Sequence, residues 1–414
     1  MKIIIANYRY FIAGGPEKYM FKFMDAAREM GIEVIPFSVN NPQNEHTKYS
    51  RYFAKPRSKQ LMFADTKKTI GNLTGIARAT VWNFDAEKRL RQLIRDTQPD
   101  AVYILHEINH LSPSIIRAAK KEKVRVVHRI SDFFMFCAKY DFLCGNEICE
   151  ACLHGNYKKA IQNRCVKDST SGTLLRVFAM KLYRALRIFD EVDHFICTCE
   201  FSKAKMIEGG ISSAKISCVP TFIDAEKILP CYENDRYFLF LGRLAHQKGA
   251  IYAIAAMKYL KNTDYVLKIT GEISDSDEDQ SIWKYIQENH LENKIIFTGF
   301  KRGKELEQLI SRATSVVCPA IWYENMPNTV IEAYAYGKPV IASRIGSLAE
   351  IVVDNETGFL FEMKQEKDLA QNMLKFVNDE SLSRTLGKKA RIKCEKEYNV
   401  KSHMEHVIKI LKGD

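Results

Sequence analysis

Residues Ile321 to Pro339 read Ile-Trp-Tyr-Glu-Asn-Met-Pro-Asn-Thr-Val-Ile-Glu-Ala-Tyr-Ala-Tyr-Gly-Lys-Pro, which sets two carboxylates, Glu324 and Glu332, around a helix start with seven residues between them. An apolar strand, Ser315 to Pro319, comes first, a loop holds Glu324, and a helix opens near Asn328. Unpaired amide N–H groups and the positive end of the helix dipole then face a cleft where a diphosphate fits. One carboxylate is placed to accept sugar hydroxyls, and the second, about one turn into the helix, to reach a ribose. A plain surface helix with two Glu residues has the same spacing, so the neighbouring residues decide.

Upstream, Tyr237-Phe-Leu-Phe-Leu-Gly-Arg-Leu-Ala-His-Gln-Lys-Gly249 is an apolar strand that breaks at Gly242 and presents Arg243 and Lys248 before a helical run. Either cation alone reads as solvated surface charge. Together they flank a strand-to-helix turn at the carboxyl edge of a parallel sheet, where α/β folds bind ligands and where two cations neutralise a leaving diphosphate. Downstream, Gly337-Lys-Pro-Val-Ile-Ala-Ser343 and Gly346-Ser-Leu-Ala-Glu350 repeat the strand, glycine, helix pattern.

These stretches resemble the nucleotide-sugar half of the family 4 glycosyltransferases. The resemblance rests on Gly242-Arg243 with Lys248-Gly249, Glu324-x7-Glu332, Ala333, Gly337-x-Pro339, Gly346-x3-Glu350 and Gly358. It implies an α/β fold of the GT-B kind: two Rossmann-like, doubly wound parallel-sheet domains facing a cleft, with a terminal helix crossing back to the first. It also implies a retaining transfer that needs no cofactor. Arg243, Lys248 and Glu324 would carry catalysis, the two cations on the donor diphosphate and Glu324 on the donor sugar, with Glu332 on the ribose. Gly14, Gly15, Gly242, Phe300, Asn325, Met326, Pro327, Asn328 and Thr329 complete the donor side. The family usually has Gly-Phe or a similar pair where this chain has Asn325-Met326, so sugar selectivity does not carry over.

Length and composition agree with two domains: 414 residues, 46% apolar and 27% charged. No run approaches the roughly 20 apolar residues of a membrane span. Met1-Lys-Ile-Ile-Ile-Ala6 is too short for a signal peptide and reads as a buried first strand. Eleven Cys, an odd number, read as thiols or metal ligands in a reducing compartment.

Charge divides unevenly. Residues 1–220 hold 35 Lys and Arg against 22 Asp and Glu, a net +13, while 221–414 hold 27 against 28, a net −1. No recognition helix or stacking motif points to nucleic acid. An anionic membrane surface or a lipid pyrophosphate suits the basic half better. The expectation is a cytoplasmic protein, peripheral on the inner face of the plasma membrane.

The organisation follows the same division, with an acceptor-binding domain over 1–220, a nucleotide-sugar domain over 221–396 and a crossover helix over 397–414. Ile3–Ala6, Gly14-Gly15-Pro16, a helix over 17–30 and a second strand from Gly31 make a βαβ opening. A Gly-Gly pair is commonly only a turn; in the resembled family it forms a loop over donor phosphates and acceptor. Residues 40–80, with Lys55, Arg57, Lys59, Lys67 and Lys68, read as an acceptor-side excursion.

Cys137, Cys144, Cys149, Cys152 and Cys165 crowd one segment, with Cys149-Glu-Ala-Cys152 a Cys-x2-Cys pair. Cys137, Cys149, Cys152 and Cys165 are the candidate shell for a structural zinc; free thiols or a redox pair are the alternatives. A subset of family 4 enzymes resembles this stretch. There the family commonly carries His-Asp or His-Asn six residues before the first Cys, a position filled here by Ser131-Asp132. His106, in His106-Glu-Ile108, matches another His-bearing loop and is a candidate acceptor-side ligand; a structural role is the alternative.

Residues 174–189 pattern as a helix with Leu174, Leu175, Phe178, Leu182, Leu186 and Phe189 on one side and Arg176, Arg184 and Arg187 on the other. Burial against the sheet is the default for such a stripe, and lying on a membrane the alternative. Asp275-Ser-Asp277 reads as a solvated turn rather than a metal motif. The expected activity is transfer of a hexose-type sugar from a UDP- or GDP-sugar to a lipid-linked or growing glycan. A nucleotide-sugar 2-epimerase on the same fold and a non-catalytic basic binding protein are the rivals.

Overall fold

The computed structural model describes residues 1–56, 81–107, 110–271 and 277–414. Arg57, Lys59, Lys67, Lys68 and Asp275 lie outside the described residues. Two compact units are present: Met1–Cys144, Cys149–Val219 and Lys401–Asp414 form one, and Gly145–Ile148 with Pro220–Val400 the other.

The elements run β1 (Lys2–Asn7), α1 (Gly15–Glu29), β2 (Glu33–Phe37), α2 (Phe84–Thr97), β3 (Ala101–His106), α3 (Ser114–Lys121) and β4 (Arg125–Arg129). A short hairpin follows, β5 (Leu143–Cys144) and β6 (Glu147–Ile148), then α4 (Lys158–Gln162), α5 (Thr170–Ala185), β7 (His194–Cys197), α6 (Glu200–Glu208) and β8 (Ile216–Cys218). The sheet order is β2-β1-β3-β4-β7-β8, all parallel, with Ile4 opposite both Ile35 and Val102. Parallel strands covered by helices on both faces need apolar side chains on both, which is why Ile3, Ile4 and Ile5 are all buried.

The second unit continues with β9 (Tyr237–Leu241), α7 (Ala250–Ala256), β10 (Val266–Thr270), α8 (Asp277–Glu288), β11 (Ile295–Phe297), α9 (Lys304–Ser311), β12 (Ser315–Cys318), α10 (Asn328–Ala335), β13 (Val340–Ser343), α11 (Gly346–Ile351), β14 (Gly358–Phe361), α12 (Glu366–Asn378) and α13 (Ser381–Glu397). Its parallel sheet runs β11-β10-β9-β12-β13-β14. Alternation sorts the residues: Phe238, Phe240, Leu267, Ile269 and Val317 pack in one core, Tyr237, Leu239, Val316 and Val340 in the other. Arg391 from α13 donates to the carbonyls of Ala225, Ile228 and Ala335, tying the entry segment to the helices. The last helix, α14 (Val400–Lys412), packs in the first unit, where His403 meets the Tyr19 hydroxyl at 2.9 Å and the Ile410 carbonyl accepts from Arg125.

Candidate active site

In the second unit, β9 ends at Leu241 and a single 3-10 turn, His246–Lys248, leads into α7. Gly249 has φ +70° and a Cβ there would lie 1.9 Å from the Pro319 carbonyl oxygen, so only glycine lets this turn press against the loop after β12. The Gln247 carbonyl accepts from the Ile321 amide at 3.0 Å and locks the two loops together.

That contact brings Lys248 to Glu324, Nζ to Oε1 at 2.5 Å. The Trp322 indole Nε1 donates to the same oxygen at 2.8 Å, and the Lys248 ammonium stands 5.3 Å from the Trp322 ring centre. Ser347, in α11, donates to the Glu324 backbone carbonyl at 2.7 Å. Beside this cluster α10 begins behind its N-cap residue Pro327, whose side chain makes no cap hydrogen bond. Lys248, Glu324, Pro327 and Thr329 line one cleft together with Cys318 and Leu348.

The remaining donor-side candidates are placed differently. Arg243 is exposed and makes no hydrogen bond or ion pair among the described residues. Asn325 and Asn328 are half-buried beside the Glu324 loop, and the Met326 sulfur accepts from the Thr221 amide at 3.2 Å. Glu332 is half-buried within α10 and does not line the cleft. Phe300 is exposed just beyond the carboxyl end of β11, with the Arg302 guanidinium 5.4 Å from its ring centre.

At the carboxyl edge of the first sheet, Tyr8 follows β1, His106 ends β3, and Ser131 and Asp132 follow β4. His106 Nε2 meets Asp132 Oδ2 at 2.9 Å, and the Tyr8 ring packs edge-on at 4.9 Å from His106. Burial disfavours the charged imidazole, but the hydrogen bond and charge of Asp132, with Glu107 and Glu17 beyond, outweigh it and raise the His106 pKa. Ser131 donates to the Leu105 carbonyl at 2.9 Å, an anchor within the fold. Gly14 and Gly15 open α1, whose buried Glu17 approaches Arg9 at 4.0 Å.

Several further residues escaped the sequence reading. Glu107 and His128 form a buried pair at 2.9 Å; burial pushes Glu107 up, and the charge and hydrogen bond of His128 more than reverse it. Lys338 is buried, donates to the Glu233 carbonyl at 2.6 Å, and is drawn down to about 8 by burial. Trp322 carries no motif of its own; its one signal is adjacency to Glu324.

One expectation is corrected. Helix α5 is rotated from the expected face: Thr173, Arg176, Val177, Met180 and Tyr183 are buried while Leu174, Phe178 and the following Leu186 are exposed, with Leu175 and Leu182 half-buried, Phe189 buried, and Arg184 and Arg187 exposed as expected. The reason is Arg176, whose guanidinium lies 3.3 Å from the Phe134 ring centre and donates to the Phe134 carbonyl, with burial drawing its pKa to about 10. Burial first, then the charges of Cys144, Cys137, Cys152 and Cys149, push Cys165 to about 12, so the thiols share a neighbourhood. Yet among the described residues no three His, Cys, Asp or Glu side chains are placed to hold a metal ion. Cys152 packs instead with Ala138, Tyr157, Ala160, Val177 and Met180, with Cys165 against that cluster.

The chain belongs to glycosyltransferase family 4. The pattern described as Glycosyltransferase Family 4 matches residues 13–227, and that described as Glycosyl transferases group 1 matches 222–393. Among relatives, an uncharacterised glycosyltransferase of Methanocaldococcus jannaschii is 30% identical over 48% of this chain and 54% of its own length. An Escherichia coli UDP-Gal:alpha-D-GlcNAc-diphosphoundecaprenol alpha-1,3-galactosyltransferase is 24% identical over 71% of this chain and 76% of its own. This chain thus spans about half the length of the first relative. Among solved structures, sucrose-phosphate synthase from Thermosynechococcus elongatus superposes with a TM-score of 0.71 at 18% identity, covering 100% of this chain and 98% of that one. An Anabaena protein in complex with UDP and glucose superposes with a TM-score of 0.68 at 15% identity over 100% of both. The fold is GT-B.

Proposed function

We propose that the chain is a retaining glycosyltransferase that moves a hexose-type sugar from a UDP- or GDP-sugar to a lipid-linked or growing surface glycan. The observation that carries this reading is the meeting of Lys248 with Glu324 beside the start of α10. A cation and helix amides suit a diphosphate, and a carboxylate next to them suits the hydroxyls of the attached sugar. The UDP bound by the Anabaena neighbour and the diphosphoundecaprenol acceptor named for the E. coli relative support the same substrate classes.

In this reading Lys248 and Arg243 stabilise negative charge as the sugar–phosphate bond breaks. The departing phosphate takes the acceptor hydroxyl proton on the same face, so the anomeric configuration is retained. The His106–Asp132 pair serves the acceptor side. The exposed Leu174 and Phe178 of α5 and Leu186 just after it, in a half of the chain carrying +13, support peripheral docking on the inner face of the plasma membrane. Ligand-detected binding with UDP-, GDP- and dTDP-sugars, followed by transfer to a lipid-linked sugar, tests the proposal.

A further inference from the structure

We propose that Trp322 is a positioning residue for the donor sugar: its indole N–H holds the Glu324 carboxylate in place when Lys248 turns to the diphosphate. This rests on the donor reading above and adds to it the group that keeps Glu324 aimed.

Glu324 Oε1 takes two donors, Lys248 Nζ at 2.5 Å and Trp322 Nε1 at 2.8 Å. Oε2 has no partner among the described residues, which leaves that oxygen to accept sugar hydroxyls. The two donors differ in kind. Lys248 sits on a flexible stem, and an arriving diphosphate competes for its ammonium. The indole is neutral and rigid, so a phosphate does not draw it away, and it donates through a single N–H with no acceptor of its own.

The backbone on either side is fixed independently. Ser347 donates to the Glu324 carbonyl, and the Glu324 amide donates to the Trp322 carbonyl at 3.1 Å. Trp322 packs half-buried against the second unit's core. With the main chain held, the indole fixes the remaining side-chain rotation. Its ring, 5.3 Å from the ammonium, also gives Lys248 a resting place that does not compete with the sugar.

Titration calorimetry on the full chain decides it, using a panel of UDP-, GDP- and dTDP-hexoses with the matching nucleoside diphosphates. Trp322→Phe keeps the ring and removes the N–H. It is expected to weaken the intact donor by about tenfold or more, the scale of a hydrogen bond to a charged group, while the nucleoside diphosphate binds as in wild type. In a Glu324→Gln background the same substitution is expected to add little, because the two act through one contact. Wild-type donor affinity in Trp322→Phe alongside a large loss in Glu324→Gln overturns the role of Trp322 and spares the donor reading. Failure of the wild type to bind any member of the panel overturns both. Equal losses of sugar and nucleotide binding in Trp322→Phe mean that the indole only packs the loop.

Discussion

Lys248 and Glu324 lie 76 positions apart in sequence, yet their side chains meet at 2.5 Å because Gly249 lets one loop close on the other. Lys248→Ala is therefore expected to lower turnover by about 10²-fold or more, the scale of removing one preorganised charge-stabilising donor, with the fold intact by circular dichroism. Near-wild-type turnover at saturating donor would remove Lys248 from the chemistry.

The two carboxylates should separate by ligand. Glu332, within α10 and outside the cleft lining, is expected to act through the nucleoside, so Glu332→Ala weakens nucleoside diphosphate and intact donor alike. Glu324→Ala should weaken the intact donor and leave the free nucleotide nearly unaffected. Calorimetry with both ligands on both variants checks the division, and matching losses throughout contradict it.

The His106–Asp132 pair has a definite pH signature. Its imidazole is held above the ordinary value of about 6.5, so the stabilisation is complete below that value and is lost as pH rises through the raised folded pKa. Denaturant unfolding of His106→Gln against wild type should show the larger deficit near pH 5.5, shrinking by pH 9. A deficit independent of pH would mean that the imidazole does not gain its proton from this contact.

Helix α5 tests membrane docking. Each Lys or Arg near an anionic surface contributes about 1 kcal/mol, fading within a Debye length of about 8 Å at physiological salt. Co-sedimentation with anionic vesicles should exceed that with neutral vesicles, fall as salt rises, and drop further in a Leu174→Ser, Phe178→Ser, Leu186→Ser variant. If the triple variant binds as wild type does, another surface makes the contact.

Much of the fold could be read from residue order, because buried parallel strands such as Ile3–Ala6 and Tyr237–Leu241 announce themselves as apolar runs broken by glycine or polar turns. Lys248 and Glu324 were legible because each belongs to a local motif. The misreading of α5 has a local cause: a helical stripe shows which residues share a side, not which side is buried, and Arg176 on Phe134 reversed the usual choice. Glu107 and His128 lie 21 positions apart, and strand pairing alone brings them together. The crowding of the thiols of 137–165 was legible from their spacing, whereas the packing of Cys152 with Ala138, Tyr157 and Ala160 depends on contacts that spacing does not show.

The most direct measurement is a transfer assay that follows nucleoside diphosphate release and glycosylated product together, with a nucleotide-sugar panel and a lipid-linked sugar acceptor. Wild type should release nucleoside diphosphate in step with product only when both substrates are present, the new linkage should keep the donor's anomeric configuration, and Lys248→Ala should be nearly silent. Conversion of the donor to an epimer without acceptor, inversion at the anomeric carbon, or no nucleotide release with any donor would contradict a retaining transfer at Lys248 and Glu324.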